Sequence, residues 1–308
     1  MSGQEVAVQR KQAPGKSSSG QNQARTATLL IIPSMVVMAA IILYPLLNAV
    51  WLSLFNYQLT KPNQQGFAFL QNYQRLIGDN MFWDAFRITA QFTALTVAIS
   101  LVLGMIMALA VDQLPKRLIG IRGIFMVPWV IPGIVVGYLF MYMFDVQVGI
   151  VNLILVQLNI IQESLPWLVR GDLAMAAIVI AHVWNQAPFY MLMLTAGMKA
   201  IPEDVKEAAY AEGAGRWQEF WNITIPHLQG IILITSLLMV IRNFNNFPII
   251  FTMTGGGPVY STTTSVIYIY KLAFEQYNIG YASAVGTIWV IVLMIFSVFY
   301  IRALQKDF

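Results

Sequence analysis

Six long apolar stretches alternate with polar segments along the chain. They run approximately over Ala27–Leu54, Trp83–Val111, Ile124–Phe144, Leu173–Met198, Leu228–Met253 and Gly280–Ala303. At ~1.5 Å per residue, a helix over each stretch reaches across a hydrocarbon core of ~30 Å. The pattern therefore predicts an all-α polytopic membrane protein with six transmembrane helices.

Several of these stretches contain proline, at Pro33, Pro45, Pro128, Pro132, Pro188 and Pro248. Such breaks are tolerated where neighbouring helices satisfy the freed carbonyls, so the prolines predict a packed bundle. Gly133-x-x-x-Gly137 in the third stretch is a spacing of small residues that allows another helix to approach closely.

Residues 1–26 are polar, rich in Gln, Ser, Gly and Lys, and predict a disordered tail. They lack the apolar core and cleavage site of a signal peptide, so the first apolar stretch is expected to be retained. Gly15-Lys16-Ser17 has the ending of a phosphate-binding loop, but Arg10 stands where the upstream glycine belongs, and nucleotide binding is not expected. Residues 27–308 are predicted to form one transmembrane domain.

The amino-acid composition excludes several classes of protein and of site. The chain is 58% hydrophobic and 10% charged, whereas a soluble domain carries about 25% charged residues. It has no cysteine, which excludes disulfides and thiolate metal sites. The only histidines, His182 and His227, are too few for a histidine-rich metal site, so no metal is expected.

The basic residues indicate orientation. One set of segments holds twelve of the 18 Lys and Arg residues: Arg10, Lys11, Lys16, Arg25, Lys116, Arg117, Arg122, Lys199, Lys206, Arg216, Arg302 and Lys306. The opposite set holds Lys61, Arg75, Arg87, Arg170 and Lys271, and Arg242 lies inside a stretch. The positive-inside rule therefore predicts that both termini are cytoplasmic. It also explains the net charge of +4 without a nucleic acid partner.

A charged segment, Ile201–Pro226, joins the fourth and fifth apolar stretches. Pro202 suits a first helical turn, Glu203 and Asp204 place negative charge at the helix N-terminus, and Gly213 and Gly215 supply a stop. A short helix over roughly Glu203–Glu212 is predicted, on the cytoplasmic side. Helices this short are marginal alone in water, so we expect it to dock on a partner.

The spacing in this segment resembles a known signature. Glu207-Ala208-Ala209, three residues, Gly213, nine residues and Ile223-Thr224-Ile225-Pro226 resemble the EAA motif of permease subunits in prokaryotic ABC importers, with Ile225 in place of the usual Leu. The resemblance implies a coupling helix that lies in a groove of a separate ATPase subunit, with Glu207, Ala208, Ala209 and Gly213 as the coupling residues. An ordinary amphipathic loop helix is the alternative.

The last third of the chain extends the resemblance. Thr254-Gly255-Gly256-Gly257-Pro258 is followed by Tyr268-Ile269-Tyr270-Lys271 and Gly280-Tyr281-Ala282. This order is similar to the first permease subunit of carbohydrate importers of the maltose and glycerol-phosphate type, over roughly Ala27–Ala303; a plain exterior turn is the alternative for the glycines. The resemblance implies a place in the prokaryotic inner membrane, with membrane lipid around the chain. It also implies three partners: a second homologous permease, an ATPase dimer that binds ATP and Mg, and an extracytoplasmic sugar-binding protein.

Polar side chains inside the apolar stretches are costly and usually face the bundle interior or a water-filled cavity. Two clusters occur, one at His182, Trp184, Asn185 and Gln186 and the other at Arg242, Asn243, Asn245 and Asn246. Aromatic faces beside amide donors and acceptors suit a sugar. His182 by itself is expected to be a packed interior residue.

The resemblance implies seven substrate-binding positions, at Trp184, Gln186, Phe189, Met239, Arg242, Asn243 and Asn246. Trp184, Asn243 and Asn246 keep the family residue type and Phe189 replaces another aromatic. Gln186 stands in place of a glycine, and Arg242 in place of an aromatic residue. The alternative is that the asparagines join helices to one another and that backbone carbonyls hold Arg242.

Three functions are compatible with a polytopic chain. An importer subunit needs no catalytic group, binds no cofactor of its own and is not itself an enzyme, because a partner hydrolyses ATP. A secondary transporter of a small polar solute would need coupling-ion sites, and acidic residues are absent from the centres of the stretches. A membrane enzyme would need a catalytic constellation, and the sequence contains no such motif.

Overall fold

The computed structural model describes residues 30–115 and 120–304, which are predominantly helical. The helices are α1 (Leu30–Leu52), α2 (Gln71–Ile77), α3 (Asn80–Asp112), α4 (Ile121–Phe125), α5 (Val127–Val130), α6 (Gly133–Met143), α7 (Ile150–Gln157), α8 (Gly171–Lys199), α9 (Glu203–Ala211), α10 (Arg216–Phe244), α11 (Pro248–Thr254), α12 (Ser265–Tyr270) and α13 (Ile279–Leu304). The tail predicted over residues 1–26 lies outside the described residues. The chain divides into two compact units, Met1–Trp51 and Leu52–Phe308.

Five of the described helices are long and apolar enough to cross a membrane: α1, α3, α8, α10 and α13. The third predicted span is instead divided into α4, α5 and α6, so a count of six continuous helices is not confirmed. Proline explains the division, because Pro132 cannot donate the backbone hydrogen bond that the Pro128 carbonyl needs. Asn185 Nδ2 donates to that carbonyl at 2.6 Å, as expected for a proline break inside a packed bundle.

Helix α8 lies at the centre of the second unit and is the most buried of the five long helices. Helix α3 packs along it more extensively than any other pair of elements. The buried face of α3 carries small and hydroxyl side chains every three or four residues, at Ala85, Thr89, Thr93, Thr96, Ser100, Gly104 and Ala108. A side chain at Gly104 would collide with Tyr190 on α8, so the glycine sets how closely the two helices approach.

A second close approach joins α6 to α11. A Cβ atom at Gly137 would lie 2.7 Å from Thr252 Cβ, and one at Gly133 would lie 3.3 Å from Pro248 Cβ. The prediction that Gly133-x-x-x-Gly137 admits a neighbouring helix is therefore confirmed. Pro248 is the first residue of α11, which begins after a break at the end of α10.

The end of the bundle far from α9 is covered by an ordered loop. Two short antiparallel strands, β1 (Phe55–Asn56) and β2 (Gly66–Phe67), pair Phe55 with Phe67. Asn72 Nδ2 donates to the carbonyls of Ser53 and Phe55 at 2.8 and 2.9 Å. The Gly280 N–H donates to the Tyr57 carbonyl at 2.9 Å, which attaches this loop to the start of α13.

Asp79 joins three helices at the same end. Its Oδ1 atom accepts from the backbone N–H groups of Met81 and Phe82 at 3.0 and 3.4 Å, and so caps α3. Its Oδ2 atom accepts from the hydroxyls of Tyr268 and Tyr281, both at 2.5 Å. Burial raises the pKa of the Asp79 carboxyl, but these four hydrogen bonds together outweigh that effect and hold the pKa below its ordinary value.

Replacing Asp79 by Asn should destabilise the protein at pH 7 by about 1–2 kcal/mol, because bonds to a charged acceptor are stronger than bonds to a neutral one. Since the pKa is lowered in the folded state, this stabilisation is present above the unfolded pKa of about 3.9 and is lost as the pH falls through the folded value. Thermal unfolding in detergent at pH 7 and at pH 3 measures both effects. Asp84→Asn, an exposed carboxylate in the second turn of α3, is the matched control, and equal losses in the two variants would contradict the assignment.

Candidate functional site

Helix α9 occupies the segment between α8 and α10. It begins after Pro202, carries Glu203 and Asp204 in its first turn and ends at Ala211, so the predicted helix over Glu203–Glu212 is confirmed to within one residue. Gly213 follows with φ of +83°, a left-handed conformation that strains any residue with a Cβ atom. The helix therefore ends where predicted, at a position whose backbone conformation favours glycine.

The two sides of α9 have different surroundings. Lys206 and Ala209 are half-buried, whereas Glu207, Ala208 and Ala211 are exposed. Tyr210 donates from its hydroxyl to Glu219 Oε2 at 2.6 Å, which holds α9 against the start of α10. This hydrogen bond is the main cause of the raised pKa of Tyr210. The helix is thus held from one side and presents a carboxylate and two alanines on the other.

The chain then turns directly into a membrane span. The Gly215 N–H donates to Gln218 Oε1 at 2.9 Å and so begins α10. A π-helical turn over Phe220–Thr224 continues into the regular helix from Ile225. Helix α9 is therefore linked to the ends of α8 and α10 by short connections.

A buried polar cluster lies where α8 faces α3 and α10. His182 Nε2 lies 2.9 Å from Asn243 Oδ1, and Gln186 Nε2 donates to the same oxygen. Asn243 Nδ2 donates to Thr96 Oγ1 at 2.8 Å, which brings in α3. Asn246 Nδ2 lies 3.4 Å from His182 Nδ1. These contacts connect all three helices in a region where a bare polar group would be costly.

Two oxygen atoms of this cluster have no hydrogen-bond partner among the described residues, Gln186 Oε1 and Asn246 Oδ1. Buried polar atoms are nearly always satisfied, by protein, water or ligand. Both residues are among the seven for which substrate contact is predicted. Their free acceptors are the part of the cluster that can receive a hydrogen bond from another molecule.

The other predicted substrate residues lie elsewhere. Trp184 packs edge-to-face on Phe140, with ring centroids 5.4 Å apart, and Phe189 stacks on Trp129 at 5.2 Å. Met239 is buried in the core beside α8, and Arg242 is exposed on another face of α10. The structure therefore brings together Gln186, Asn243 and Asn246 but does not place all seven residues around one pocket.

Two members of the cluster were not predicted as substrate residues. His182 is packed in the interior, as expected, and Thr96 on α3 was not singled out at all. The signal for Thr96 is its position in the three-to-four-residue spacing of hydroxyl and small residues along α3. Asn243 bonds to side chains of α8 and α3. These contacts agree with the alternative interpretation, in which the asparagines join helices to one another. Arg242 forms no hydrogen bond to a backbone carbonyl of the described residues. Substrate contact therefore stays a prediction for all seven residues.

The sequence matches a known protein family and is similar to those of several transport proteins. Residues 100–308 match the family described as binding-protein-dependent transport system inner membrane component. The chain is 32% identical over 283 residues to the trehalose/maltose transport system permease protein MalF of Thermococcus litoralis, covering 91% of this chain and 94% of that protein. It is also 32% identical to the sulfoquinovosyl glycerol transport system permease protein SmoG of Agrobacterium fabrum, covering 91% of each. The chain is 30% identical to SugA, the trehalose transport system permease protein of Mycobacterium tuberculosis, and the match covers 89% of this chain and 86% of SugA.

The fold is also similar to solved structures. A chain of a bacterial ABC transporter involved in the import of the acidic polysaccharide alginate superimposes with a TM-score of 0.79. The two chains are 17% identical, and the match covers 94% of this chain and 98% of the other. At this identity the likeness concerns the fold, and it extends over nearly the whole chain.

Replacing Asn243 by Leu tests the role of the polar cluster. The variant leaves His182, Gln186 and Thr96 without their common partner, and each buried group left unsatisfied should cost roughly 1–3 kcal/mol of stability. Thermal unfolding of the purified protein measures the loss. Asn245→Leu is the matched control, because Asn245 is exposed and its amide donates to the Ile241 carbonyl one turn earlier. Unchanged stability of Asn243→Leu would show that the cluster does not hold the three helices together.

Proposed function

The chain belongs to the family of binding-protein-dependent transport system inner membrane components, and on that premise we propose that it forms half of the translocation pathway of an ATP-driven importer for a sugar or oligosaccharide. An extracytoplasmic binding protein delivers the sugar. The named relatives serve trehalose, maltose and sulfoquinovosyl glycerol, which are all glycosides. The proposal for the substrate class rests on these names and on the amide and aromatic side chains of α8 and α10.

The observation that carries the proposal is the exposed face of α9. Glu207, Ala208 and Ala211 point away from the bundle on a short helix that joins two spans. Small side chains let a partner surface approach closely, and the carboxylate can accept charge-assisted hydrogen bonds from an Arg side chain or backbone amides. We propose that an ATPase subunit, one of a dimer that holds ATP and Mg, receives this face.

A second permease would complete the pathway. In helices α3, α10 and α13, most residues of the most apolar window are not buried within this chain. These apolar faces must be covered by lipid or by another membrane protein. One chain therefore supplies one wall of a path, and a homologous permease supplies the other. With α9 on the side of the ATPase, both termini are cytoplasmic, in agreement with the distribution of Lys and Arg.

Two substitutions test the role of α9. Glu207→Ala removes one member of a charge-assisted contact, which costs about 2–5 kcal/mol at a desolvated interface, and Gly213→Val forces a β-branched residue to the left-handed turn. Both should lower the yield of ATPase subunit co-purified with the permeases and uncouple ATP hydrolysis from sugar uptake in proteoliposomes.

Sugar binding by the external receptor should remain unchanged in both variants. Glu212→Ala is the matched control, because this exposed carboxylate lies at the end of α9 outside the Glu207-Ala208-Ala209 motif. Wild-type co-purification and coupling in both test variants would be incompatible with α9 as the coupling helix.

Arg242 provides a test of the pathway. It lies in the last turn of α10, exposed on the bundle surface, and forms no ion pair with another described residue. We propose that it faces the pathway, since a charged group toward lipid costs about 2.5–3.5 kcal/mol on insertion scales. Arg242→Met should reduce uptake while the amount of protein in the membrane stays unchanged. Arg302→Met, at the exposed end of α13, is the control, and full uptake by Arg242→Met would refute the proposal.

A further inference from the structure

A large groove lies on the side of the bundle next to α9, away from the polar cluster. Its volume is about 820 Å³. One wall is the second half of α3 and the other is the start of α10, and most of the lining is apolar, including Leu101, Met105 and Leu109. Val102 and Ile106 on the α3 wall are exposed. The groove is therefore an open apolar surface on a membrane span, and neither the coupling face of α9 nor the predicted substrate residues line it.

The length of the groove limits what fits in it. The lining residues of α3 extend from Leu101 to Gln113, a rise of ~18 Å at 1.5 Å per residue. This is somewhat more than half of a ~30 Å hydrocarbon core. The groove thus begins near the middle of the membrane and ends at the surface on the α9 side. A transmembrane helix of another protein would extend well beyond it, whereas the tail of one lipid in one leaflet matches it.

The surface end of the groove carries charges of both signs. Lys206 and Arg216 are the basic residues of the lining, and Asp112 and Glu219 are the acidic ones. Glu219 accepts the hydrogen bond from Tyr210. Lys206, Arg216 and Asp112 form no ion pair with another described residue. A bound group that offers both a phosphate and an ammonium would complement these three side chains.

Two tryptophans mark the depth of this end. Trp217 is 72% exposed and Trp221 is 50% exposed, and both line the groove. Their ring centroids are 5.7 Å apart. Tryptophan is enriched at the level of the lipid headgroups, where its ring is apolar and its N–H can bond to polar groups. The charged rim therefore lies at headgroup level and the apolar wall at the level of the acyl chains.

We propose that this groove is a binding site for a phospholipid with a primary amine, of the phosphatidylethanolamine type. The acyl chain lies along α3, the phosphate contacts Lys206 and Arg216, and the ammonium contacts Asp112. An anionic headgroup such as phosphatidylglycerol would satisfy the basic residues but leave Asp112 without a partner. Phosphatidylcholine carries a quaternary ammonium, which has no N–H to donate to Asp112. The proposal depends on the membrane location of the chain and not on the transported substrate.

Quenching of tryptophan fluorescence by brominated lipids tests this site. The full chain is reconstituted in vesicles of unbrominated phosphatidylcholine that contain increasing fractions of brominated phosphatidylethanolamine, phosphatidylglycerol or phosphatidylcholine. The difference between the wild type and a Trp217→Phe/Trp221→Phe variant isolates the emission of the two groove tryptophans. Brominated phosphatidylethanolamine should reach half-quenching at a mole fraction roughly two- to fivefold lower than the other two lipids, the range that one exposed charge pair provides.

Substitutions on the rim separate the two headgroup contacts. Asp112→Asn should remove the preference for phosphatidylethanolamine, and Arg216→Gln should weaken quenching by all three lipids, since all carry a phosphate. Glu212→Gln is the matched control, an exposed carboxylate of the same segment that does not line the groove. Equal quenching by the three lipids, a preference for phosphatidylglycerol, or an absence of quenching at Trp217 and Trp221 would each overturn the proposal.

Discussion

The contact between α3 and α8 is the interaction on which the rest of the bundle depends. Lipid tails are as apolar as leucine, so no hydrophobic force drives two helices together inside a bilayer. Close packing of small residues and hydrogen bonds must replace it. The buried face of α3 supplies both, because Gly104 admits Tyr190 of α8 and Thr96 bonds to Asn243 of α10. Thr89 accepts from the Ser265 N–H at 2.9 Å and so positions α12 as well.

Features encoded within a few neighbouring residues were predictable from the sequence. The bounds of α9 follow from Pro202, two acidic residues and Gly213, all within one short segment. The close approach at Gly137 follows from a four-residue spacing. Pro128 and Pro132 were predicted to break the third span, but its division into separate helices was not predicted. Whether a proline ends a helix depends on what satisfies the freed carbonyl. Asn185 on another helix does so here.

The substrate residues were harder to place for a related reason. Their identities were predicted from two separate spans, but their neighbours depend on the rotation of each helix, which is set by packing. Trp184 and Gln186 lie two positions apart on α8 and therefore point in different directions. Trp184 meets α6, whereas Gln186 meets α10. The same rotation aligns His182 with Asn243, so α8 and α10, the two spans joined by α9, also meet at the polar cluster. The amides predicted to contact substrate therefore come together on the two spans that α9 joins.

The small and hydroxylated face of α3 also affects the cost of placing α8 in the membrane. During synthesis α3 emerges before α8, and it is apolar enough to cross the bilayer although its partner is absent. Helix α8 is the least apolar of the five candidate spans and carries His182, Asn185 and Gln186. For α8 the cost of leaving water is lowered by a helix that is already in the bilayer and offers a complementary surface. The face of α3 is therefore part of what makes the polar α8 compatible with the bilayer, and a side chain at Gly104 would keep the two helices apart.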